Sequence, residues 1–105
     1  MSSDILIKAA LKRRNAFKNL PEKLETIKRV VKKLDPEAQT YLFGSVAQQT
    51  HTYSSDIDIL VVTRLPPAKI HAELWKAQIG EPFEIHVQTP EKARFYMART
   101  KLVEI

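Results

Sequence analysis

The 105-residue chain contains no cysteine, which excludes disulfide cross-links and thiolate metal sites. No apolar run comes near the roughly 18 residues a membrane-spanning helix needs, so no membrane segment is expected. The opening Met1-Ser2-Ser3-Asp4 leads into a charged pattern and lacks the apolar core of a secretion signal. The cytoplasm is therefore the expected compartment. Repeats, low-complexity tracts and linkers are also missing. Glycine is sparse, with 2 residues in the whole chain. Together with the many Lys and Glu, that scarcity matches the compositional habits of thermophile proteins.

What is present suits one compact domain, 1–105, with N-terminal helices over 1–36 and a core over 37–105. Hydrophobic residues make up 44% and charged residues 28%, as in ordinary globular proteins. Lys and Arg number 17 against 12 Asp and Glu, a net charge of +5. Such a surface can attract nucleic acid, nucleotide phosphates or an acidic protein, or simply coat the solvated faces of helices.

Apolar residues at Leu6, Ala9, Ala10, Ala16, Phe17 and Leu20 recur at helical steps and predict a helix over 4–19. Pro21-Glu22 opens a second helix with a buried face of Leu24, Ile27, Val31 and Leu34, ended by Asp35-Pro36. Thr40 to Phe43 reads as a strand, followed by a turn at Gly44, one helical turn over 45–49 and a polar loop from Thr50 to Ser55. The near-continuous apolar run Ile57 to Val62 fits a central strand covered on both faces. Pro66-Pro67 starts a third long helix with Ile70 and Leu74 on its inner side, closed by Gly80. Phe83 to Gln88 alternates, with Glu84, His86 and Gln88 on the polar face. Thr89-Pro90 marks a last helix start, and the final fifteen residues read as a short helix or a frayed tail. The order predicts an α+β domain: a small mixed β-sheet backed by helices. Trp75, Phe95 and Tyr96 are expected in the core.

The chemistry lies in two carboxylates, Asp56 and Asp58, at the start of the central strand. Side chains alternate along a strand, so both point to one face, with Cα atoms roughly 6.5–7 Å apart. From there both can reach one divalent cation, whose charge relieves their repulsion. Glu84 opens the polar face of the next strand and is the natural third acid. Gly44 lets a backbone come close to phosphate, and Ser45 can donate a hydroxyl. The histidines His51, His71 and His86 have no zinc-ligand spacing and are assigned no metal, although His86 shares the face of Glu84 and could approach the cleft.

Phe43-Gly44-Ser45, a spacer, then Asp56-Ile57-Asp58-Ile59 resembles the nucleotidyltransferase superfamily that includes DNA polymerase beta. The nearest resemblance is to its short stand-alone members, the minimal nucleotidyltransferases of antitoxin type. It runs from about Gln39 to Gln88. It implies a nucleotidyltransferase-like core in which Asp56, Asp58 and Glu84 act as catalytic residues and metal ligands, with Gly44 and Ser45 on the nucleotide. Two Mg²⁺ (or Mn²⁺) ions and ATP follow from it, with AMP passing to a hydroxyl. Glu84 stands where the family commonly has Asp. Gln48 and Gln49 stand where an arginine and a second glycine are common.

Larger relatives add a domain for base and acceptor, whereas here only residues 89–105 follow the third strand. The expectation is a surface borrowed from a second copy or from a helical partner of the HEPN type, whose tyrosine would be the acceptor in a toxin–antitoxin pair. Two alternatives stand beside it. One is a non-catalytic module that neutralises its partner by contact. The other is a transferase acting on RNA or a small molecule.

Overall fold

A computed structural model describes residues 2–52 and 54–105. Among them, five helices and a four-stranded sheet follow one another as α1 (Ser2–Lys18), α2 (Leu20–Leu34), β1 (Gln39–Phe43), α3 (Gly44–Ala47), β2 (Ile57–Val62), α4 (Pro67–Lys76), β3 (Phe83–Gln88), α5 (Pro90–Arg99) and β4 (Val103–Glu104). The sheet order is β3-β2-β1-β4. β1 is antiparallel to β2 and β4, while β2 and β3 are parallel. The sheet is mixed and the class is α+β, as the element order predicts.

The parallel pair follows from its connection. α4 carries the chain from the end of β2 back to the start of β3, the crossover that parallel strands require. One face of the sheet presents Ile57, Ile59 and Val61, which are buried with Ile27 and Val31 of α2 and Ile70 and Leu74 of α4. The other face presents Leu60 and Val62, which pack with Ala93 of α5. Burying each such side chain is worth about 1.5–3 kcal/mol. Coverage on both faces explains why β2 reads as an unbroken apolar run after Asp58.

Four features differ from the sequence expectation. First, the α1 stripe is not a buried face along its length. Ala16 is in the core with Phe17 and Leu20 against it, but Leu6, with Ile5, Ile7 and Leu11, is exposed. Periodicity identifies a helix and its apolar residues, but says nothing of whether this chain supplies the surface to cover them. Second, Trp75 and Phe95 are exposed rather than in the core, while Tyr96 packs against Leu60, Val62 and Ala93. Third, α4 ends before Gly80. Gln78 takes the left-handed conformation (φ 65°), and the Ile79 amide donates to the Leu74 carbonyl, a Schellman-type ending. Fourth, the tail adds β4, with Val103 beside Leu42 and Glu104 beside Tyr41. A two-residue strand is too short to leave a period in the sequence. The expected Thr50–Ser55 loop includes Tyr53, which lies outside the described residues.

Gln49 closes α3 at φ 60°, the left-handed region where the resemblance expects glycine. A side chain there costs roughly 1–2 kcal/mol, partly offset by the greater freedom glycine has when unfolded. Gln49→Gly is expected to stabilise the fold by about 0.5–1 kcal/mol in denaturant unfolding; a loss of stability would refute the strain.

Candidate active site

The register of the three long strands builds the site. Phe43 of β1 lies beside Asp58 of β2, which lies beside Glu84 of β3. The next row is Tyr41, Leu60 and His86. All six project from the face that α5 partly covers. α5 shields the Leu60 and Val62 end, whereas the Asp58 and Glu84 end stays open, with side chains 24% and 54% exposed.

Donor atoms of Asp58, Glu84 and His86 all lie within 4.8 Å of one another. Nε2 of His86 is 3.5 Å from Oδ1 of Asp58 and 3.6 Å from Oε1 of Glu84. It is buried and has no hydrogen-bond partner among the described residues. Ring contacts hold the imidazole: its centroid is 5.1 Å from Phe43 and 6.2 Å from Tyr96, both edge-to-face.

This donor set suits a divalent cation. Paired carboxylates on adjacent strands repel, and an ion between them removes that cost. Donor atoms bonded at about 2.1–2.2 Å to one ion stand roughly 3–3.6 Å apart. The spacing from His86 Nε2 to the two carboxylates falls in that range.

Asp56 stands apart from this cluster. It immediately precedes β2. Its Oδ1 is 3.4 Å from Nη2 of Arg13, and it is half exposed. Arg13 of α1 also donates to the carbonyl of Ser55 at 3.1 Å. A pair this exposed is worth about 0–1 kcal/mol, so Asp56 is readily released.

Gly44 seats Asp58. It sits at φ 77°, and a Cβ there would collide with Oδ2 of Asp58. The glycine that sequence reading assigns to phosphate thus also makes room for a carboxylate. Phe43 is the N-cap of α3, and no side chain caps that turn. Ser45 lies within it rather than acting as its cap. His51 stacks on Phe17 at 5.2 Å. His86 was reachable from its spacing to Glu84 on an alternating strand, but nothing local revealed that its nitrogen is unpartnered.

A cavity of about 620 Å³ lies between α1 and α4, lined in part by Lys8, Leu11, Lys12 and Trp75. It shares no lining residue with the acidic cluster. The chemistry argues for the cluster rather than this hollow, because convergent donors select a ligand and volume alone does not.

Residues 24–105 match the family model for the nucleotidyltransferase domain. The chain belongs to that family. Such domains transfer a nucleoside monophosphate and generally use a divalent metal and a nucleoside triphosphate. Searches of curated proteins and of solved structures found no match. No described helix is long and apolar enough to cross a membrane.

Gly44→Ala tests the seat of Asp58. Forcing an alanine into the left-handed region costs about 1–2 kcal/mol. The collision would also displace the carboxylate. The folded variant should bind Mn²⁺ about tenfold more weakly or worse in calorimetry; unchanged affinity would show that Asp58 does not depend on this glycine.

Proposed function

We propose that this chain transfers AMP from ATP to a hydroxyl on a helical protein partner of the HEPN type, as the antitoxin of a two-protein module. The observation that carries the catalytic part is the Asp58–Glu84 pairing on an open sheet face beside Gly44. Asp58 and Glu84 would hold the metal, with Asp56 joining once Arg13 lets go. Gly44 and Ser45 would lie against the triphosphate.

In the reaction the acceptor oxygen attacks the α-phosphorus. A new O–P bond forms, the bridging bond to the β-phosphate breaks, and pyrophosphate leaves. The hydroxyl proton passes to a carboxylate of the site, for which the half-exposed Glu84 is well placed. A divalent ion held by Asp58 and Glu84 would neutralise phosphate charge and lower the pKa of the hydroxyl. The protein's part is positioning: strands fix the acids, and the Phe43 and Tyr96 rings fix the neighbouring imidazole.

The partner part draws on α1. Ile5, Leu6, Ile7 and Leu11 are exposed on one helix, an apolar surface that a second helical protein would cover. The same observation supports a second reading, in which contact alone neutralises the partner.

Incubation with labelled ATP, Mg²⁺ and the partner separates them. The catalytic reading expects label on the partner, reduced about 100-fold or more by Asp58→Asn. Neutralisation that survives in Asp58→Asn, without labelling by the wild type, would select the contact reading.

A further inference from the structure

We propose that Nε2 of His86 is a third ligand of the cation held by Asp58 and Glu84, and that the site consequently takes Mn²⁺ in preference to Mg²⁺. This rests on the transferase reading only for the presence of a cation; the ligand set follows from the geometry.

The position of the nitrogen decides the matter. An Nε2–H that donated to either carboxylate would stand about 2.7–2.9 Å from one oxygen. Here Nε2 is almost equidistant from two oxygens of different residues, at 3.5 and 3.6 Å. It satisfies neither, and it is buried from solvent. A buried nitrogen left without a partner costs roughly 1–3 kcal/mol. An ion shared among the three side chains removes that cost for all of them together. The contacts with Phe43 and Tyr96 keep the imidazole facing the acids.

The donor chemistry then fixes the preference. Mg²⁺ favours all-oxygen octahedra and sheds its waters reluctantly. Mn²⁺ shares the preference for carboxylate and phosphate oxygens, but as a softer first-row ion it accepts an imidazole nitrogen more readily than Mg²⁺ does. A site of two carboxylates and one imidazole therefore discriminates between two ions that an all-carboxylate site would treat more alike. Replacing the nitrogen should erase the discrimination while leaving the oxygen ligands.

The test uses the full chain with MnCl₂ or MgCl₂ alone, by calorimetry and by pulsed electron paramagnetic resonance of bound Mn²⁺. Wild type is expected to bind Mn²⁺ at least about tenfold more tightly than Mg²⁺ and to show ¹⁴N modulation from a directly bound imidazole. His86→Phe keeps a ring against Phe43 and Tyr96. It should lose the modulation and about tenfold in Mn²⁺ affinity, with Mg²⁺ affinity changed less than about twofold. Asp58→Asn should weaken both ions. Bound Mn²⁺ without nitrogen modulation in the wild type overturns the inference, whatever the variant's folding. So does Mn²⁺ binding unaffected by Asp58→Asn, which would place the ion elsewhere. If AMP transfer proceeds without nitrogen coupling, the inference falls and the transferase reading stands. Nitrogen coupling, with no label passing to the partner when ATP is supplied, supports the inference and removes that reading.

Discussion

Two carboxylates in directly paired positions of a parallel ladder are the constraint on which this site depends. Asp58 and Glu84 are neighbours across β2 and β3. Adjacent strands run about 4.8 Å apart, so their charges cannot avoid one another by sliding along the strand. Like charges placed opposite each other destabilise a sheet. A countercharge would relieve that repulsion, and the described residues put no Lys or Arg between them. Their nearest basic neighbour is the imidazole of His86, which bonds to neither. The arrangement makes chemical sense as a receptor for a cation, and the match to the nucleotidyltransferase domain supplies a reason to have one.

The rest of the molecule serves that row of residues. α4 returns the chain so that β3 runs parallel to β2, which sets Glu84 beside Asp58 rather than elsewhere on the ladder. α2 and α4 seal the opposite face over Ile57, Ile59 and Val61, leaving the strands rigid where the acids emerge. Gly44 ends β1 with a backbone that only glycine adopts cheaply and leaves the space Asp58 fills. α5 covers Leu60 and Val62 but leaves the acidic end open, giving a substrate room to enter. α1 reaches the site through Arg13, which pairs with Asp56. Its lower turn packs through Ala16, its upper turns expose apolar residues, and the family match begins after it, at residue 24.

Much of this was legible in the sequence because it rests on short-range rules. The period of β2 and β3, the prolines that open α2, α4 and α5, and the Thr89 cap are all local signals, and each element lies where they place it. The shared face of Asp58 and Glu84 follows from alternation once the two strands are paired. What was not legible depends on contacts distant in the chain. The pairing of Arg13 with Asp56 joins residues 43 positions apart, and no local pattern encodes it. The exposure of Leu6, Trp75 and Phe95 depends on which surfaces the fold leaves uncovered. β4 owes its existence to the free edge of β1 rather than to any propensity of Val103 and Glu104. The orphaned nitrogen of His86 emerges only when three strands and α5 are assembled.

The most direct measurement of the central claim is crystallographic. Crystals soaked with MnCl₂ and a non-hydrolysable ATP analogue should show an anomalous-scattering peak about 2.1–2.3 Å from carboxylate oxygens of both Asp58 and Glu84, with the triphosphate running toward Gly44. A fully occupied ion and nucleotide seated elsewhere, with that pair of acids untouched, would contradict the account.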